Sequence, residues 1–295
     1  MTTDNPPEPA IHLWYDESRR DYRSPDRPRP VRVYRWRPAP GPAEPAPLIV
    51  VSHGTGGSGG SMGWLAEPLA AAGFEVISVD HHGNNFVDGY DPEGFLYIWE
   101  RPRDLSFALD RLAAERPIGP VGAAGFSVGG YTVAALAGGR ADRKVLEAVL
   151  DSQVPLPPIP EFPDLLEALA AKAGPEELRA RFAASDPEAD LTDPRVRAVF
   201  QIAPAVGPLV SAESLRAVRV PVGIRWGGAD TITPFAEQVE PYLTHIPTAD
   251  GRSLGADVRH DDFIADPPAD PTARPRAAAD AVAFFRHHLA ATSDS

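Results

Sequence analysis

The sequence predicts an α/β architecture: a mostly parallel central sheet with helices on both faces and a helical insertion lying over it. Three observations predict it. Apolar runs recur at PLIVVSHG (47–54), FEVISVDHHG (74–83), VGAAGFS (121–127), RVRAVFQIAP (195–204) and VPVGIRWGG (220–228), and unbroken apolar runs mark strands buried on both faces. Segments of helical period stand between several of them, and strands alternating with helices build a parallel sheet. One strand ends in GFSVG (125–129), which opens directly into the helix-like GGYTVAALAG (129–138).

The remaining elements follow in chain order. Residues 1–30 are polar and rich in proline, and are expected to wrap the surface as an N-terminal arm. VRVYRWRP (31–38) alternates apolar residues with arginine and reads as an edge strand. A proline-rich turn covers 38–47, and Leu65, Leu69 and Ala72 give a helix over 61–73 that closes on Gly73. DLSFALDRLAAE (104–115) places Leu105, Leu109 and Leu112 on one helical stripe. At 152–194 the alternation breaks into a proline run followed by the charged helical segments PDLLEALAAKA and PEELRARFAAS, the lid-like insertion. SLGADV (253–258) is the last strand-like segment. AAADAVAFFRHHLA (277–290) is the closing helix, so the main domain runs 31–295.

Composition narrows the function. A chain of 295 residues with 43% hydrophobic content buries a core without staples. The net charge is −13 and no basic stripe is present, which argues against a nucleic-acid partner. The absence of cysteine excludes disulfides, thiolate metal sites and a cysteine nucleophile. MTTDNPPEPA has neither the basic nor the apolar region of a signal peptide, and no apolar run reaches the length of a membrane span. A cytoplasmic protein is the expectation.

GFSVG fits G-x-S-x-G with a strand before and a helix after, the context of a nucleophile elbow that lifts the Ser127 hydroxyl above the sheet. SHGTGGSGG (52–60) follows an earlier strand, and a glycine-flanked loop there lets a backbone N–H approach a developing oxyanion. The two expected donors are the amides of Thr55 and of Val128, the residue after the serine. An acid and a histidine should follow in that order. Asp230, in the loop after VPVGIRWGG, is favoured as the acid because sites lie at the carboxyl ends of strands. Asp151, which opens the insertion, stays open as its competitor. His260 in ADVRHDDFI is the expected base, ahead of His245 and the helical pair His287–His288. His81–His82, flanked by Asp80 and Asp88, matches no metal-ligand spacing and is expected in a loop at the mouth of the site.

With these residues in place the chain resembles the dienelactone hydrolase-like branch of the α/β hydrolases, relatives of platelet-activating-factor acetylhydrolases and cutinase-like polyester hydrolases. The likeness is carried by RPRPVRVYRWRPA (27–39), SHGTGG (52–57), VDHHGN (79–84), RPRDLSFALDRL (101–112), GFSVGGYT (125–132), DPRVRAVFQIAPA (193–205), VPVGIRWGGADTITP (220–234) and RHDDF (259–263). It implies the α/β-hydrolase fold and a serine esterase with Ser127, Asp230 and His260, no cofactor and a small-molecule ester substrate. The chain departs from the pattern where Phe126 replaces a frequent histidine at the elbow, and where the missing cysteine removes lactone cleavage from what is implied. A non-hydrolytic binding protein of the same fold, or an amidase or thioesterase with the same triad, is the alternative reading. Leu156, Ile159, Phe162, Leu165 and Leu166 of the insertion, with Trp64, Trp99 and Tyr131, are candidates to shape the pocket.

Overall fold

The computed structural model describes residues 8–39, 45–151, 153–154 and 159–290. Eight strands form one sheet: β1 (Ala10–Arg20), β2 (Pro28–Trp36), β3 (Leu48–Ser52), β4 (Glu75–Asp80), β5 (Val121–Phe126), β6 (Val196–Ile202), β7 (Val222–Trp226) and β8 (Ala249–Ser253). Their spatial order is β1-β2-β4-β3-β5-β6-β7-β8. β2 runs antiparallel to both neighbours, and every other pairing is parallel. This is the α/β-hydrolase fold.

The apolar runs become central strands because each has two faces to bury. Leu48 and Val50 of β3 join one core, while Ile49 and Val51 join the other on the opposite face. Successive side chains of a strand point to opposite faces, so an unbroken apolar run is what a doubly covered strand needs. On one face lie α1 (Gly63–Ala71) and the C-terminal α10 (Ala273–Leu289), contributing Leu65, Leu69, Ala277 and Phe285. On the other lie α3 (Glu100–Glu115), which follows the short α2 (Pro92–Leu96), and α4 (Val128–Leu136), contributing Leu105, Leu109, Val133 and Leu136.

After α5 (Arg143–Leu150), the insertion forms α6 (Leu165–Lys172) and α7 (Pro175–Ala184). Pro175 opens α7, with Glu176 and Glu177 in its first turn and Arg181 in its last, an order that suits the helix dipole. Leu165, Leu169 and Phe182 are buried in the same core as α3 and α4, so the insertion is packed down and not merely draped over the sheet. Lys172 Nζ on Glu93 Oε2 at 2.7 Å ties α6 to α2. The helices α8 (Ala212–Ala217) and α9 (Glu240–His245) complete the chain between β6 and β8.

Two expectations at the N-terminus are corrected. The arm expected over residues 1–30 carries an eleven-residue strand, β1, and VRVYRWRP is therefore the second strand and not the edge. β1 is hard to read because its alternation is not a burial pattern. Ile11, Leu13 and Tyr15 share one face and are exposed, while Trp14 on the other packs under Arg111, its ring centroid 5.9 Å from the guanidinium.

The turn between β5 and α4 leaves no room for a side chain at its glycines. A Cβ added at Gly125 would lie 2.0 Å from the Gly129 carbonyl oxygen, and one at Gly129 would lie 2.2 Å from the Ser52 carbonyl oxygen. A methyl group there must displace backbone, and overpacking of this kind costs about 1–3 kcal/mol or more. Gly129→Ala is expected to lose about 3 kcal/mol of stability in guanidinium unfolding, whereas Gly174→Ala, with nothing within 4 Å of the new Cβ, is expected to cost under about 1 kcal/mol.

Candidate active site

Ser127 stands between β5 and α4 with φ 54° and ψ −123°. A positive φ is rare for a residue with a side chain and is held only by its surroundings. Here the Ser127 amide donates to the Ile202 carbonyl at 3.0 Å, and its carbonyl accepts from Ala205 N at 3.0 Å and from Gly130 N at 2.8 Å. The end of β6 thus grips the turn from the side opposite β3.

Asp230 and His260 are brought together by two loops that run along each other. Gly228 N donates to the Gly255 carbonyl at 2.8 Å and Ala229 N to the Val258 carbonyl at 3.0 Å. One residue past the second bond stands Asp230, and two past its acceptor stands His260. The loop following β7 folds back on its own carboxylate: Ile232 N and Thr233 N donate to Asp230 Oδ1 at 2.9 and 2.7 Å, and Thr233 Oγ1 donates to Oδ2 at 2.7 Å. Asp230 Oδ2 lies 2.8 Å from His260 Nδ1. Burial pushes the Asp230 carboxyl up, but the His260 contact and the Thr233 donors outweigh it and hold the group below the usual carboxylate range. The imidazole lies against the ring of Phe126, the residue before the serine, with centroids 4.8 Å apart, and Phe263 backs that ring at 5.5 Å.

Ser127 and His260 line one cavity of about 640 Å³, and Thr55 and Val128 line it too. Among the described residues, neither the Thr55 nor the Val128 amide has a hydrogen-bond acceptor. A Cβ at Gly54 would sit 3.2 Å from Ser127 Cβ, which measures how closely the loop after β3 passes the serine. Much of the wall is apolar, with Met62, Phe95, Ile98, Leu146, Leu209 and Phe263 among its residues. Ile159 and Leu165 of the insertion reach it; Phe162 and Leu166 pack against the core instead, and Leu156 lies outside the described residues.

The structure places the other candidates that the sequence leaves open elsewhere. Asp151 follows α5 with its carboxylate on Arg179 at 2.7 Å and does not line the cavity, and His260 Nδ1 is on Asp230. His245, His287 and His288 do not line the cavity. Of the three large aromatics, only Trp64 lines it; Trp99 and Tyr131 are fully buried in the core. The His81–His82 pair is also not at the mouth. His81 is fully buried, with Nδ1 3.0 Å from Asp104 Oδ2 and Nε2 2.9 Å from Ser52 Oγ. His82 Nε2 accepts from Tyr22 N at 3.1 Å. Later residues of that loop, Asn84 and Phe86, do reach the cavity. Among the described residues no group of His, Asp and Glu is placed to hold a metal ion, and no helix is long and apolar enough to cross a membrane.

Sequence reasoning missed Thr233, Asn84 and Arg101. TITP after Asp230 is the one available signal, a turn residue placed to cap a neighbouring carboxylate. A larger, more open depression of about 1270 Å³ at the other end of the strands holds none of the predicted site residues, and its Arg35 and Arg116 both direct their charge to Glu75.

The fold and the family it matches make the chain a serine hydrolase of the α/β-hydrolase superfamily. Residues 43–261 match the family model described as serine aminopeptidase, S33, and the chain belongs to that family. A comparison with curated proteins found no match. Among solved structures, it is similar to the PEG-bound complex of a novel cold-adapted esterase from an Arctic intertidal metagenomic library, at 16% identity and TM-score 0.51 over 95% of this chain and 93% of that one. The native structure of a cold-adapted esterase from such a library matches at 15% identity and TM-score 0.50, over 95% and 92%. A puromycin-hydrolyzing peptidase of Mycobacterium tuberculosis matches at 14% identity and TM-score 0.60 over 96% of this chain, which spans only 39% of that protein. At these identities the likeness is one of fold.

The buried histidine beneath the site sets an acid limit on stability. Burial drives His81 down to about 3, from an ordinary value of 6.5. The unfolded chain therefore takes up a proton near pH 6.5 that the folded chain refuses. The contribution is full above about pH 6.5 and is lost as pH falls toward 3. The urea midpoint is expected to fall steadily from pH 7 to pH 4, and His81→Gln is expected to flatten that slope.

Proposed function

We propose that this chain is a serine esterase that cleaves carboxylic esters through an acyl-enzyme. His260 Nε2 takes the Ser127 proton as the hydroxyl oxygen attacks the ester carbonyl, and the amides of Thr55 and Val128 receive the oxyanion. Asp230 fixes the imidazole with its Nδ1 proton turned inward and stabilises the cation that forms. Collapse of the tetrahedral intermediate releases the alcohol, which takes its proton from His260; water activated by His260 then frees the acid. The observation that carries the reading is the 2.8 Å contact of His260 Nδ1 with Asp230 Oδ2, on an imidazole that opens into the same cavity as Ser127. Within the superfamily, the proposed branch is the dienelactone hydrolase-like, acetylhydrolase-like and cutinase-like esterases, on the motifs around GFSVG and RHDDF.

The test is a panel of p-nitrophenyl esters run with a fluorophosphonate probe. Wild type is expected to turn over and to be labelled at Ser127. Ser127→Ala should lose labelling and about 10⁶ in kcat, and Asp230→Asn about 10⁴. Labelling at another residue, or undiminished hydrolysis by Ser127→Ala, would refute the assignment.

One observation favours a second reading, cleavage of peptides from a free amino end, as the family description suggests. Glu161 lines the cavity with its stem over Gly56, and its buried Oε2 has no hydrogen-bond partner among the described residues. A buried carboxylate calls for a partner, and a substrate ammonium would supply one. Under this reading aminoacyl p-nitroanilides are cleaved faster than N-acetylated ones, and Glu161→Gln lowers that ratio about tenfold. If neither anilide is hydrolysed while esters are, the ester reading stands alone.

A further inference from the structure

Arg101 lies in the first turn of α3, 1% exposed, and does not itself line the cavity. A buried guanidinium is costly unless it is paired and hydrogen-bonded. Among the described residues, however, no carboxylate accepts a hydrogen bond from it. Asp104, the carboxylate that acts on it through charge, is taken by Arg29, Arg19 and His81. The donors of Arg101 go to neutral oxygens instead. Nε donates to Thr132 Oγ1 at 3.1 Å, Nη1 to Asn84 Oδ1 at 3.3 Å, and Nη2 to the His53 carbonyl. Burial, with Asp104 opposing, brings the group down to about 9, so it remains a cation at neutral pH.

Each of those oxygens leads to an amide at the site. His53 is two residues before Thr55 on the loop after β3. Asn84 Oδ1 accepts from Gly56 N as well, at 2.7 Å, and so holds that loop from its other side. Thr132 Oγ1 donates to the Val128 carbonyl at 3.2 Å, in the first turn of α4. The three segments meet at one planar group.

We infer that Arg101 is a positioning residue for hydrolysis: its fork sets the separation between the loop that carries the Thr55 amide and the helix end that carries the Val128 amide. The inference rests on the esterase reading above. Arginine suits the task because its donors point in fixed directions within a plane, whereas a lysine ammonium at the end of a flexible stem serves the same acceptors without fixing them. The amides of an oxyanion site act only when aimed at the oxygen, and small displacements of such groups are expensive in rate.

The test uses the full chain with Arg101→Lys, Thr132→Val and the double variant. Steady-state constants are measured on the best p-nitrophenyl ester, normalised to fluorophosphonate-titrated sites, beside the guanidinium midpoint of each protein. Arg101→Lys is expected to lower kcat about 10- to 100-fold with KM within about threefold. Thr132→Val is expected to lower kcat about three- to tenfold, and the double variant to fall short of the product, because both act through one linkage. A merely structural arginine would lower the midpoint and the number of titratable sites while leaving kcat per site at the wild-type value, and that result in both single variants would overturn the inference. Should Arg101→Lys not fold, Thr132→Val decides alone. Absence of wild-type turnover on every ester, amide and thioester removes the esterase reading first, and this inference with it.

Discussion

The site depends on a backbone conformation at Ser127 that a residue with a side chain adopts only under constraint. Its φ of 54° costs about 1–3 kcal/mol in isolation. The cost is met by hydrogen bonds from the end of β6, at Ile202 and Ala205. It is met too by the two glycines that let α4 approach β3 without a methyl group in the way. With the turn held, the hydroxyl stands at the carboxyl end of the sheet. The loops after β3, β7 and β8 then have only to reach the same place.

A layer of charge lies under that turn. Arg29 grips Asp104 with two nitrogens, Asp104 meets His81, His81 meets Ser52, and Arg19 of the first strand closes on Asp104 at 2.8 Å. Such a network is tolerable in a core only when its members are satisfied, and a satisfied one fixes a single arrangement. It joins β1, β2, β3, the loop after β4 and α3. The N-terminal strand is thereby part of the support of the site and not an accessory to the sheet.

The central strands are legible in the sequence because each must be apolar on both faces, a pattern few other elements show. The placement of the candidate residues is legible because order along the chain mirrors order across the sheet: Ser127 after β5, Asp230 after β7, His260 after β8. The last strand lies a few residues before the segment that suggests it. SLGADV (253–258) is mostly the loop that zips against Gly228 and Ala229, while pairing with β7 is made by Ala249–Ser253, a polar stretch with little to announce it. β1 is hidden for a related reason, since Ile11, Leu13 and Tyr15 face outward. His81 and Arg101 cannot be assigned from local pattern at all. Their partners stand 23 residues away for His81 on Asp104, and 48 for Arg101 on the His53 carbonyl. Only the folded topology brings those groups together.

The insertion between β5 and β6 has a consequence for how the molecule could change. Ile159, Pro160, Glu161 and Leu165 form part of the wall of the cavity that Ser127 and His260 line, yet none belongs to a strand that leads into Ser127, Asp230 or His260. The part of the wall that the insertion supplies is thus encoded apart from the strands that lead into Ser127, Asp230 and His260. Grafting a different excursion between Leu150 and Val196 would redraw that part of the wall, provided the graft restores the apolar plug that Leu169 and Phe182 now supply.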